Sequence, residues 1–179
     1  MKTIIITLPQ YFAGEADRIT QLLRQNTADI IHIRKPGSDI ASLERLINQI
    51  PQELHNRLVL HDHHILAAKY HFHGIHLNSR NPTPLSGWAG SVSRSCHSLQ
   101  EVTEYKAQCN YVSLSPIFDS ISKQGYLSAF TTSEIKDAAH LGIIDEKVYA
   151  LGGVTFSNLP IVKDLGFGGA MILGDAWRK

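Results

Sequence analysis

Short β-branched runs alternate with amphipathic stretches along the whole chain, with no linker or low-complexity break. Residues 3–7 (TIIIT) make the first apolar run, and residues 15–26 follow with Ile19, Leu22 and Leu23 at helical spacing. Residues 29–34 predict a second strand, closed by Pro36 and Gly37. Asp39 then caps a helix whose Ile40, Leu43, Ile47 and Ile50 form one apolar stripe. Further strands are predicted at 57–61, 74–77, 89–93, 109–114, 147–151 and 169–173, and further helices at 65–70, 98–108, 133–140 and 157–165. The segment after the fourth strand is rich in proline and serine and too polar for a full helix.

Repeated strand–helix units predict a parallel sheet, because parallel strands need long crossovers. Eight of them in 179 residues favour one domain, a compact (β/α)8 TIM barrel spanning residues 1–179. Such barrels usually need at least about 200 residues, so this one requires short loops, a reduced helix 4 and a truncated last helix. An open flavodoxin-like sheet is the alternative. The missing last helix predicts an exposed apolar face near Trp177, covered by a second copy in a homodimer.

Composition adds exclusions. With 43% hydrophobic and 18% charged residues the chain has ample core material, and 17 Lys plus Arg against 16 Asp plus Glu give a net charge of +1. That balance supplies no field to attract nucleic acid or an anionic membrane surface. No apolar run approaches the roughly 18 residues that cross a bilayer, and the opening run is stopped by Pro9 without a cleavage site, so a cytoplasmic protein is expected. Two cysteines, Cys96 and Cys109, are too few for a disulfide framework.

In a barrel, chemistry lies where strands end. Those positions are unusually polar here: His32, Arg34 and Lys35 after the second strand, His61 and Asp62 after the third, Ser95 and His97 after the fifth. The seventh and eighth strands end in Gly152-Gly153 and in Leu173-Gly174. Glycine lets backbone N–H groups approach an anion, and barrels often hold phosphate between these two loops; the same glycines would also serve merely to turn the chain. Seven of the ten histidines fall between His55 and His76, yet no H-E-x-x-H or C-x-x-C pattern accompanies them, so the spacing gives no zinc site and most read as structural. His97 is different, placed where an acid/base group would stand.

Taken in order over nearly the whole chain, these strand ends resemble the thiamine phosphate synthase superfamily, which includes TenI-type thiazole tautomerases. I-H-I-R at 31–34 resembles its Q/H-φ-R-E-K segment, L-V-L-H-D at 58–62 its LIIND strand, and G-I-H-L at 74–77 its GVHLGQED strand. S-R-S-C-H-S-L-Q-E at 93–101 resembles G-x-S-x-H-S-x-E-E, and Y-V-S-L-S-P-I-F at 111–118 with S-I-S-K at 120–123 resembles DYVGxGPIFxTxTK. A-L-G-G at 150–153 and G-G-A-M-I-L-G at 168–174 resemble AIGGI and GADGVAVVS.

The resemblance implies a barrel that binds a thiazole phosphate through the amides at Gly152, Gly153, Leu173 and Gly174. It implies that Ser120, Ser122 and Lys123 contact the thiazole and a pyrophosphate, that Ser95 lies near a pyrimidine methylene, and that Asp62 is one of two carboxylates binding Mg2+. His32, Arg34, Lys35 and His61 fall among the substrate contacts. In a synthase, pyrophosphate leaves the pyrimidine and the thiazole nitrogen attacks the resulting cation.

Departures cluster in the metal half. The Asn-Asp pair is His61-Asp62, the second metal carboxylate falls on neutral Asn81, and the motif lysine falls on Pro36 with Lys35 one residue earlier. The readings that follow are a synthase using Mg2+, a tautomerase using His97 as acid/base with weak or absent Mg2+, and a non-catalytic paralogue that binds thiazole phosphate.

Overall fold

Short, largely buried runs of Ile, Leu and Val become the strands of the computed structural model, which describes residues 1–119 and 128–178: β1 (Lys2–Ile6), β2 (Ile30–Ile33), β3 (Leu58–Leu60), β4 (Gly74–Leu77), β5 (Ser91–Cys96), β6 (Tyr111–Leu114), β7 (Val148–Ala150) and β8 (Gly169–Ile172). They follow one another in chain order and close as a (β/α)8 barrel, β1 lying between β2 and β8. The open-sheet alternative is thereby set aside. β2, β4, β6 and β8 are buried at every position, as parallel strands covered on both faces must be. The residues group into two compact units, Ile5–Val92 in one and Met1–Ile4 with Ser93–Lys179 in the other.

Ile5–Val92 holds β2–β4 in parallel register, Ile31 opposite Leu58 and Val59 opposite Gly74. The helices α1 (Glu15–Arg24), α2 (Ile40–Asn48) and α3 (His64–Lys69) accompany them. α1 buries Ala16, Ile19, Leu22 and Leu23, the apolar face anticipated from the spacing. α2 starts where Asp39 accepts the Ser42 N–H at 2.7 Å, a cap worth about 1 kcal/mol. Residues 78–90 form no helix at all, against the reduced one expected. Asn78 and Asn81 exchange backbone hydrogen bonds at 3.1 Å, and Pro82 and Pro84, which lack the N–H a helix needs, follow.

The other unit holds β5–β8 with α4 (Leu99–Tyr105), α5 (Thr132–His140) and α6 (Leu159–Asp164). Ser98 caps α4, and Thr131 with Glu134 forms a reciprocal capping box on α5. β5 runs further than its apolar pattern predicts: Ser93, Arg94, Ser95 and Cys96 pair with Tyr111, Val112, Ser113 and Leu114. Pairing with a buried neighbour makes this polar stretch extended. After β8 the chain makes only a 3-10 turn at Asp175–Trp177, the truncated last helix. Trp177 is half-buried and Ala176 buried, while Phe156, whose N–H meets Asp175, stays exposed, so the apolar face expected there is covered only in part. Among the described residues no helix is long and apolar enough to cross a membrane.

Candidate functional site

In the Ile5–Val92 unit three neighbouring strands deliver histidines to one place. His32 lies in β2, His61 directly follows β3, and His76 lies in β4; all are at most 5% exposed. His32 Nδ1 stands 3.0 Å from His61 Nε2. The His61 and His76 rings stack at 4.2 Å between centroids, and His32 meets them edge-on at 5.1 and 5.2 Å. Burial first, and neighbouring imidazoles second, hold His32 and His61 well below the usual histidine range. The spacing argument had separated these side chains. Register across parallel strands brings them together.

Asp62 follows His61 and is already engaged. Arg80 reaches its Oδ1 from Nε and Nη2, each at 3.2 Å, and its Oδ2 from Nη2 at 3.3 Å. Asn81 Nδ2 donates to the same Oδ1 at 3.0 Å. Asn78 and Asn81 also donate their side-chain amides to the His61 carbonyl, at 3.2 and 3.0 Å. Asn81, expected as a second metal ligand, therefore offers Asp62 a donor rather than an ion a carboxylate. Magnesium asks for anionic oxygen donors. As it stands this set does not fit the ion, since its one carboxylate is neutralised by a guanidinium.

Arg34 and Lys35 separate completely. Arg34 is half-buried, its charge reaches His61, and no acceptor meets its guanidinium among the described residues. Lys35, expected to contact substrate, is instead buried: its Nζ donates to the Leu8 carbonyl at 2.8 Å, the Gln10 carbonyl at 2.9 Å and Glu15 Oε1 at 2.6 Å. The reason is the period of two along an extended chain. Arg34 shares the face of His32, whereas Lys35, one residue on, turns toward α1. Burial lowers the Lys35 ammonium and raises the Glu15 carboxyl, against the pull of their mutual hydrogen bond.

In the other unit, Ser95 lies within β5, half-buried and opposite Ser113. His97 is the first residue after the strand and is exposed. Its Nδ1 lies 3.3 Å from the Ser115 carbonyl and 3.2 Å from the Ser115 hydroxyl, and its backbone N–H donates to Glu101. Where Nδ1 donates to Ser115, Nε2 is the acceptor, and nothing meets it among the described residues. That is the tautomer a general base requires.

Gly152 and Gly153 have φ of +91° and +63°, the left-handed region that favours glycine. A Cβ on Gly152 would fall 2.7 Å from Pro116 Cα, and one on Gly153 2.4 Å from the Asp119 carbonyl oxygen. Turning and packing therefore demand both glycines whatever they bind. Gly174, half-buried beside Leu173, has an ordinary φ of −64°, so its backbone conformation does not itself demand glycine. No acceptor meets the N–H groups of Gly152, Gly153 or Gly174 among the described residues. Asp175 already takes the Phe156 N–H at 3.0 Å. Ser120, Ser122 and Lys123 lie outside the described residues.

Arg80, Asn78, His76 and Ser115 stand among the polar strand-end positions of the sequence, but no site role is assigned to them there. Their signal was available only in part: His76 sits between apolar neighbours, as His32 does, but nothing local marks Arg80 or Ser115 as a partner of Asp62 or His97.

A family model described as thiamine monophosphate synthase matches residues 4–174. The thiamine-phosphate synthase of Parasynechococcus marenigrum (strain WH8102) is 28% identical over 166 residues, covering 88% of this chain and 47% of that protein. This chain thus spans about half that relative's length. The thiamine-phosphate synthase of Halalkalibacterium halodurans is 28% identical over 148 residues, 77% of this chain and 69% of that one. The crystal structure of a thiamine phosphate pyrophosphorylase from Bacteroides thetaiotaomicron matches with a TM-score of 0.88 at 44% identity, over 99% of this chain and 85% of that chain.

Proposed function

The chain belongs to the thiamine monophosphate synthase family, and on that premise we propose that it is a transferase joining a phosphorylated thiazole to a hydroxymethylpyrimidine diphosphate. The bond between the pyrimidine methylene carbon and the diphosphate oxygen breaks, and the diphosphate leaves with the electron pair. The thiazole nitrogen lone pair forms the new C–N bond, with no change in oxidation state. The amides of Gly152, Gly153 and Gly174 hold the ester phosphate. Arg34 supplies positive charge for the leaving diphosphate, Ser95 stands by the methylene, and Ser120, Ser122 and Lys123 complete the contacts. The observation that carries this reading is the set of three glycine amides with no acceptor among the described residues, one of them at a φ that any residue could adopt.

The orientation of His97 favours a second reading. A ring fixed through Nδ1 by Ser115 with Nε2 left as acceptor suits a proton shuttle for a thiazole tautomerase, and general acid–base catalysis of this kind is worth roughly 10²–10⁴-fold. The engaged Asp62 points the same way. Incubating the purified protein with thiazole phosphate and pyrimidine diphosphate, with and without Mg2+, tests the proposal by appearance of the coupled product. Isomerisation of a thiazole phosphate tautomer without coupling supports the second reading instead. Tight thiazole phosphate binding with neither turnover identifies a non-catalytic, phosphate-binding member.

A further inference from the structure

We propose that His32, His61 and His76 form a binding site for one divalent transition-metal ion, zinc being the best fit. One ring nitrogen from each imidazole lies within 4.8 Å of the other two. Tetrahedral zinc with Zn–N bonds of about 2.0–2.1 Å spaces its ligand nitrogens by roughly 3.3 Å. The pair His32 Nδ1 and His61 Nε2, at 3.0 Å, is within a few tenths of an ångström of that spacing. The wider separations must close, and the His61 and His76 rings, stacked at 4.2 Å, must turn out of their stack so that the lone pair of each meets the ion.

The frame around the rings is rigid. His32 and His76 are inside β2 and β4, strands joined through β3 in parallel register, and His61 is the residue at which β3 ends. Its carbonyl is clamped by the amides of Asn78 and Asn81. Ligands held on strands keep their geometry better than ligands on loops. Imidazole suits zinc, copper and nickel, whereas magnesium prefers oxygen, so this site is chemically separate from the carboxylate of Asp62. Three protein nitrogens leave a fourth position for water or an anion, the open arrangement of a three-histidine zinc centre. Because the triad itself brings no negative charge, an anionic fourth ligand such as phosphate is favoured there.

This assignment is independent of the reaction proposed above, and binding is measured without substrate. The full-length protein is stripped with chelator, and Zn2+ is titrated by calorimetry. Co2+ is titrated in parallel and followed by its visible absorption, which intensifies in tetrahedral nitrogen ligation. One tight equivalent per chain is expected, lost in both His32→Gln and His76→Gln and kept in His71→Gln, an exposed histidine outside the triad. Absence of an equivalent, or its retention in both triad variants, overturns the site. If those variants fail to fold, anomalous diffraction at the zinc edge on wild-type crystals decides. A peak among the three rings upholds the assignment, and a map with no peak there refutes it.

Discussion

Replacing Lys35 by Met tests whether this lysine serves the fold or the substrate. Its side chain is 0% exposed and that of its partner Glu15 2%, so solvent screening offers no relief. Removing one member of a buried pair costs about 3–5 kcal/mol, because the other charge is left without compensation. Two carbonyls, those of Leu8 and Gln10, lose their donor as well. Leu8 is half-buried and Gln10 exposed, so water can take the place of the lost donor and the carbonyls add little, while the Glu15 carboxyl can recover part of the total by taking up a proton. A net loss of about 4 kcal/mol is expected. For a chain of this size each kcal/mol lowers the melting temperature by roughly 2–4 °C, which makes a drop on the order of 12 °C. A Glu15→Leu, Lys35→Met double variant should regain part of the loss, since it removes both charges but still leaves the two carbonyls. Urea unfolding at fixed slope gives the free energies, and affinity for thiazole phosphate at 10 °C, where the variant remains folded, should be near wild type. A Lys35→Met protein within about 1 kcal/mol of wild type, yet with binding abolished, would refute the structural role.

Gly174→Val should weaken thiazole phosphate binding at least about tenfold, because its φ suits any residue and a branched side chain would hold the anion away from the amide; unchanged affinity in the folded variant removes the phosphate site. His97→Asn separates the two reactions: a tautomerase loses roughly 10²–10⁴-fold in rate while Asp62→Asn costs little, and the reverse order marks a synthase. Cys96, fully buried and pushed up to about 12 by burial, and Cys109, raised by the same cause, should resist alkylation at pH 8 in the native protein and react on unfolding. Fast native labelling of either thiol contradicts that packing.

The strand–helix alternation was legible because burial on both faces forces near-continuous apolar runs in parallel strands. Where composition misleads, strand pairing overrides it. Residues 94–96 lie beyond the predicted strand and gave no strand signal of their own, yet they are extended beside Val112–Leu114. The missing helix after β4 shows the opposite limit. A Pro-rich segment reads as a poor helix, but only the mutual bonds of Asn78 and Asn81 show what replaces it.

The site was legible wherever one residue carries the chemistry and obscure wherever parity does. The motif lysine falls on Pro36, and taking Lys35 as its stand-in treats a one-residue shift as minor. Along an extended chain that shift reverses the face, placing the ammonium on Glu15 behind the strand while Arg34 keeps the side of His32. The histidines show the same rule from the other direction. His32, His61 and His76 are separated by 29 and 15 positions, intervals with no meaning on a helix, yet each stands at or just past the same level of three successive strands. Linear ligand spacings belong to helices and tight loops, whereas in a parallel sheet strand register takes their place. A reading that first aligns the strands and then compares what each presents would have found the triad and rejected the lysine in one step.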